Sequence, residues 1–440
     1  HFEIHGPPAG LLFLAYSPTP PFGAGSIGGV PLEVDPQTVM YPLFGQPLSP
    51  AGEHVHEQLI PAGLPPGISI WTQAAVLDPL AGDLSLSNGV RLDLVSPDPG
   101  DLPLLAAGHH VGLIYTTPPS AAAPAMDAAW GECLAKGVDS YELSLSWSDL
   151  EPAPGVYSTQ ALTNLLGTAS TAGLTPYLSV TAIDAGGLTL PSDLVDPLDP
   201  TQLAPGLTWD SAQLRDRYQQ VLDIVTPSLV KSGGFFLSLG SEVDLRLAGD
   251  PVQTVEFASF VQSARSYVHS TQPLLAVGVR LTYDAAVTAG PLLAVLRVAT
   301  DNLAWTYFPL QADHTPRDPS VVPGELALLQ LAVAPRPLIL QQVGYPSGYQ
   351  PTPTNGSSEE LQRAFVEAVF DAILANPKLR FASLVQLGEH GPSEVSALAA
   401  KYGITDAMFV EHLATLGLRS YATGSPKAAY AELLAGLESL

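Results

Sequence analysis

Apolar and polar positions follow two different rhythms along this chain. Through the first hundred residues, short apolar runs are cut by turn residues. Examples are Leu11 to Tyr16, Ile68 to Leu77 and Val90 to Val95, with breaks at Pro66-Gly67 and Asn88-Gly89. Runs of this length between such breaks predict strands and turns, and so a small all-β, sandwich-like domain over 1–100. The stretch Ser96-Pro97-Asp98-Pro99-Gly100-Asp101-Leu102-Pro103 continues neither strand nor helix. We place a linker at 101–107.

From residue 108 the rhythm becomes strand then helix, repeated. Apolar strand segments are expected at 109–117, 138–147, 174–183, 234–243, 274–282, 302–310, 337–344 and 380–387. Helical periodicity marks Ser211–Val225, Val255–Ser270 and Ser358–Ala375. Eight strands alternating with helices predict an α/β fold, a closed (β/α)8 TIM barrel over 108–440. A doubly wound open sheet would place a Gly-rich phosphate loop after its first strand, and none follows here.

Composition narrows the class of protein. At 440 residues the chain exceeds one compact core, consistent with two domains. No apolar run reaches the roughly 18 residues that would span a bilayer, so membrane insertion is not expected. The opening His1-Phe2-Glu3-Ile4-His5 has no initiator Met and no signal pattern. We read this as the product of processing, with an extracellular or cell-surface location. Acidic residues number 42 against 17 basic ones, a formal charge of −25, the wrong sign for nucleic acid or anionic lipid. The single cysteine, Cys133, excludes an internal disulfide and reads as a buried, inert thiol. His1, His5, His54 and His56 invite a copper-site reading, but nothing around them supports it, and neither metal nor cofactor is expected. Asn355-Gly356-Ser357 matches a glycosylation triplet, which is common by chance.

Active sites of such barrels form at the C-terminal strand ends. After the second predicted strand runs Trp147-Ser148-Asp149-Leu150-Glu151-Pro152-Ala153-Pro154-Gly155-Val156-Tyr157. The fourth ends in Gly240-Ser241-Glu242, and the seventh in Gln342-Val343-Gly344-Tyr345-Pro346-Ser347. These segments resemble, in order, the W-x-x-L-E-P-x-x-G-x-Y, G-N-E and E-x-G-Y-P-S motifs of retaining glycoside hydrolases of the large (β/α)8 clan. Leu416–Arg419 with Gly424–Tyr430 is similar to the last helix of that clan, so the resemblance covers about 108–435. It implies a carbohydrate ligand, with Glu242 at the acid/base position and Gln342 at the nucleophile position. Gln73–Pro79 and Leu84–Gly89 are similar to a β-domain ending of secreted planctomycete-type proteins, which carries no catalytic residues.

Two departures matter. Retaining hydrolysis needs two carboxyls about 5–5.5 Å apart, and position 342 holds a neutral amide. Ser241 stands where the clan's Asn binds the sugar 2-hydroxyl. Gln342 admits three readings: a natural loss that left a sugar-binding protein, an introduced Glu→Gln substitution, or a relocated carboxylate. For the last, Glu389, Asp184 and Asp244 are candidates, and an inverting geometry tolerates about 6.5–9.5 Å. Trp147, Trp305, Tyr307 and Tyr345 are candidates for stacking on sugar, with Glu389 as a further ligand contact. His109 and His110 open the first strand, at the face where stability is the default role. The resulting expectation is a degenerate, carbohydrate-binding, glycoside-hydrolase-like protein. Its rivals are an active glycosidase and a structural subunit of an extracellular assembly that self-associates through the β-domain.

Overall fold

The computed structural model describes residues 108–440 throughout; before them it describes nine strands, Leu48 and Asp78. The chain divides into two compact units, His1–Pro97 and Asp98–Leu440. In the first, Met40–Pro47, Leu11–Ser17, Ser69–Leu77 and Leu84–Leu86 pair antiparallel in that order, and Val90–Asp93 also pairs with Ser69–Leu77. Two further antiparallel pairs join Phe2–His5 to Glu53–His56 and Ser26–Ile27 to Val30–Pro31. The 101–107 linker, and the side chains of His1, His5, His54 and His56, lie outside the described residues.

The second unit is a closed barrel of eight parallel strands. They are β1 (His110–Leu113), β2 (Ser140–Ser146), β3 (Thr175–Thr181), β4 (Phe236–Ser238), β5 (Ala276–Thr282), β6 (Asn302–Tyr307), β7 (Leu338–Val343) and β8 (Leu379–Leu384). Each expected segment contains or overlaps its strand. The surrounding helices are α1 (Ala123–Lys136), α2 (Gln160–Thr171), α3 (Ala212–Lys231), α4 (Pro251–Thr271), α5 (Gly290–Ala299), α6 (Val322–Val333) and α7 (Glu359–Ala375), then α8 (Pro392–Tyr402), α9 (Ala407–Thr415) and α10 (Ala428–Ser439). Their starts are written in the sequence. Asp250 caps α4 through the backbone N–H groups of Val252 and Gln253 with Pro251 at the first position, and Ser358 caps α7 through Leu361.

Strand alternation sorts side chains into two cores. Odd-numbered β6 residues Leu303, Trp305 and Tyr307 face the helices within the large outer core, with Leu338, Leu340 and Val343 of β7. Inside the barrel, Tyr177, Phe235, Phe236, Ala276, Ala304, Ile339 and Phe381 form a separate apolar plug. Tyr177 stacks on Phe236 and Phe381 at ring separations of 4.9 and 5.2 Å. The plug leaves no room at Gly278, where a Cβ would sit 2.6 Å from the Phe236 ring and 2.1 Å from the Asn302 carbonyl oxygen. His110 stacks on Phe235 and bonds Asp139, and His109 bonds the Leu379 carbonyl, so both belong to this lower end.

Strand β7 departs from regular pairing. Against β6, Trp305 pairs with Leu340 but Thr306 pairs with Gln342; against β8, Leu340 pairs with Ala382 and Val343 with Leu384. The extra residue is a bulge, and it lets both Gln341 and Gln342 reach the barrel interior.

Between β8 and α10 the chain makes a helical hairpin, α8 and α9. Pro392 opens α8, Gly403 closes it in the left-handed conformation, and Asp406 caps α9. The hairpin has its own small core of Val395, Ala399, Phe409 and Leu413. Among the described residues, no helix is long and apolar enough to cross a membrane.

Candidate active site at the barrel mouth

Above the apolar plug lies a polar layer that the sequence motifs did not reveal. Arg280 on β5 donates from Nη1 to Glu142 Oε1 on β2 at 3.0 Å, and from Nε to Ser241 Oγ at 3.1 Å. Gln341 Nε2 donates to Glu142 Oε1 at 2.8 Å and to Ser179 Oγ on β3 at 2.7 Å. Gln342 Nε2 donates to both Glu142 oxygens, at 3.2 and 3.1 Å. Five strands or strand ends therefore converge on one buried ion pair, whose side chains are 6% and 3% exposed.

Burial pushes the Glu142 carboxyl upward, while Arg280 and the two amides pull it back. Every partner of Glu142 is a donor, which only the anion can satisfy fully. Burial works most strongly against the charge on Arg280, but the summed attraction of Glu142, Glu242 and Asp184, with Tyr402, raises the guanidinium. Ser241, taken from the sequence as a sugar contact, accepts from Arg280 through its hydroxyl oxygen.

Glu242 is next to this layer and only 2% exposed. Its backbone has φ of +49°, a left-handed conformation that costs a non-glycine residue about 1–3 kcal/mol and tends to cluster at functional sites. The turn that holds it is tight: a Cβ on Gly240 would strike the Val243 side chain at 2.5 Å. Tyr402, from the end of α8, donates its hydroxyl to Glu242 Oε2 at 2.9 Å. Burial, and then Glu242 itself, hold that phenol far above its ordinary range.

Glu242 also lines a cavity of about 330 Å³ at the ends of β4, β5 and β6, closed over by α8 and α9. Thr282, Tyr283, Asp284, Thr306, Phe308, Phe409 and His412 contribute to its wall. Burial drives the His412 imidazole down to about 3, so it is neutral at ordinary pH.

The other candidate carboxylates have partners of their own, although Asp184 stays within the field of Glu142, Arg280 and Tyr402, and Asp244 within that of Glu242. Asp244 accepts from the Thr282 backbone at 2.9 Å and its hydroxyl at 2.6 Å, tying the strand-four turn to β5; burial raises it to about 6. Asp184 pairs with Lys401 at 2.7 Å. Glu389 pairs with Lys427 at 2.6 Å and accepts from the Tyr421 backbone, and it joins neither the polar layer nor the cavity wall.

The four aromatic candidates need correcting, because all are packed behind the strands. Trp147 is fully buried against Tyr218, with its indole N–H on Glu151 at 2.8 Å. Glu151 also receives Gly155 N–H and Arg217, so the Leu-Glu-Pro segment pins its loop to α3. Trp305 is fully buried in the outer core. Tyr307 bonds Glu325 and stacks on Phe365. Tyr345 stacks on the same ring and bonds the Arg317 carbonyl. Period-two alternation decides this for β6: Thr306 faces in, so its neighbours face out. Cys133 is buried, and burial pushes its thiol up to about 11, which leaves it inert. Among the described residues, no three His, Cys, Asp or Glu side chains are grouped to hold a metal ion.

The fold is a (β/α)8 barrel like that of solved glycoside hydrolases. A GH5_18 variant from Bifidobacterium longum, in complex with Manb1-4GlcNAc, superposes with a TM-score of 0.55 at 16% identity, over 75% of this chain and 78% of that one. A GH5_18 variant from Streptomyces cattleya, also with Manb1-4GlcNAc, gives 0.54 at 16% identity, covering 75% and 80%. An exo-beta-1,4-mannosidase from Opitutaceae bacterium strain TAV5 gives 0.53 at 16% identity, covering 75% and 59%. At this identity the likeness establishes the fold. No family model matches the chain, and no curated protein matches it.

Proposed function

We propose that this chain is a glycoside-hydrolase-like protein that binds carbohydrate at the barrel mouth and no longer turns it over by the retaining route. One observation carries the reading. At the position where the resemblance calls for a nucleophile, Gln342 presents an amide, and that amide is bound to Glu142. A neutral amide oxygen does not form and release a glycosyl ester, and losing the nucleophile adds on the order of 5 kcal/mol to the barrier. Glu142 does not replace it, being buried and engaged by Arg280 and two glutamines. Glu242 keeps its place at the cavity edge, and solved neighbours of this fold hold Manb1-4GlcNAc or GlcNAc. The reading includes an extracellular location, which fractionation of the source cells tests.

Calorimetry with short oligosaccharides, run beside an aryl-glycoside hydrolysis panel, tests the function. Binding without turnover is the expected result. Turnover that Glu242→Gln abolishes would overturn the degenerate reading, and absence of any saccharide binding would overturn the carbohydrate one.

A further inference from the structure

The charges around the cavity do not cancel. Glu142 is matched by Arg280, Asp184 by Lys401, and Glu325 by Arg317. Glu242, which shares the field of Arg280 with Glu142, and Asp284 have no ion-pair partner of their own, and both line the cavity. Among the described residues, no cation stands within ion-pair distance of either, and no Lys or Arg contributes to the lining.

Much of the rest of the wall is aromatic, with Leu245, Leu310, Ile404 and Leu413 aliphatic and Gln311 and His314 polar. Tyr283, Phe308, Tyr402 and Phe409 line the cavity, and the Tyr283 ring already carries the Arg317 guanidinium 4.9 Å from its centroid. Phe409 meets Tyr402 at 5.5 Å and His412 at 6.1 Å, and His412 meets Phe308 edge-on at 5.2 Å, so three sides form one continuous ring cluster. Two buried polar atoms at this wall have no partner, His412 Nδ1 and Thr306 Oγ1, on side chains 2% and 3% exposed. Such atoms cost free energy until a ligand or water satisfies them.

Aromatic faces carry negative potential and attract cations, more strongly where water is excluded. Two carboxylates without an ion pair of their own beside them add to that attraction. A neutral sugar would stack on the rings and leave both carboxylates facing hydroxyls alone. An ammonium group satisfies the carboxylates and the ring faces together, while ring hydroxyls reach Thr306 and His412. The volume, about 330 Å³, is at the small end of ligand pockets and suits a short saccharide.

We propose that the cavity beside Glu242 recognises a saccharide bearing a free, protonated amino group in preference to its N-acetylated or neutral counterpart. This rests on the carbohydrate reading above and specifies its ligand class. The chain's formal charge of −25 adds long-range attraction for such a ligand, which salt screens.

The test is calorimetry on the full chain with three probes: a glucosamine dimer, the N-acetylglucosamine dimer and cellobiose. The free amine is expected to bind at least about 10-fold more tightly than either other dimer, and to weaken as salt rises. Asp284→Asn, an exposed substitution that leaves the walls intact, is expected to lower that affinity at least about 5-fold. Equal or tighter binding of the acetylated or neutral dimer overturns the proposal and leaves the carbohydrate reading standing. Preference for the amine that Asp284→Asn does not touch overturns the assignment to this cavity. No binding of any dimer overturns both.

Discussion

The side-chain amide of Gln342 spans the two carboxylate oxygens of Glu142, at 3.2 and 3.1 Å. The residue where the resemblance calls for a nucleophile is thus held by a buried anion from β2, three strands away around the barrel. Placing a carboxylate there changes more than one functional group.

Gln342→Glu alone replaces a donor with a second anion against Glu142. We expect a loss of roughly 2–4 kcal/mol at pH 7, shrinking as pH falls toward 4 and one carboxylate takes a proton. The single variant should show no hydrolysis. The double variant Gln342→Glu with Glu142→Gln puts the donor back on the other side, and should recover most of the stability. If turnover is recoverable, it appears first in the double variant. Denaturant unfolding at the two pH values and an aryl-glycoside panel check this.

Arg280 carries its charge for Glu142. Removing it with Arg280→Met strands a buried anion and should cost about 3–5 kcal/mol. Adding Glu142→Gln to that variant should return most of the loss, because a neutral amide leaves no buried charge while its oxygen still accepts from Gln341 and Gln342. Urea unfolding of the single and double variants decides it: equal instability would mean that the pair is not an energetic unit.

Asp244 gives a pH signature. Burial, opposed by the Thr282 bonds, raises its carboxyl to about 6 from an ordinary 3.8. A raised acid binds its proton more tightly when folded, so its contribution is full below about pH 4 and is lost as pH rises through 6. The size is about 3 kcal/mol at most. Asp244→Asn should therefore flatten the fall in stability between pH 4 and 7, as read from unfolding midpoints. A variant with an unchanged pH profile would remove Asp244 as its source.

Trp147 separates packing from binding. Trp147→Phe keeps the contact with Tyr218 but strands one oxygen of Glu151, and should cost about 1–3 kcal/mol. Saccharide affinity should stay within about twofold, since the ring lies behind β2. A large affinity loss in a fully folded variant would return Trp147 to the site.

The barrel was legible because its signal is distributed. Eight apolar segments separated by helical periods are hard to arrange in another way, and the Gly-Ser-Glu and Gln-Val-Gly-Tyr-Pro segments marked strand ends four and seven. The site was less legible, because strand-end position was used without strand phase. Trp305 and Tyr307 are adjacent to inward-facing Thr306 and so point away from the mouth. Glu142 and Arg280 are single charges inside apolar strands, and counting in twos along β2 and β5 would have marked both as interior. Tyr402, Phe409 and His412 could not be assigned in this way. Their place depends on how the α8–α9 hairpin folds over the mouth, which local pattern does not specify.

The bulge in β7 gives position 342 an unusual freedom. Leu340 and Val343 hold the strand to the outer core on either side, while the inserted residue lets Gln342 reach inward without either of them shifting. Chemistry and architecture at this strand end are thereby uncoupled. A lineage could exchange a charged side chain for an amide here, or reverse the exchange, by adjusting one partner on β2. The barrel itself would register almost nothing.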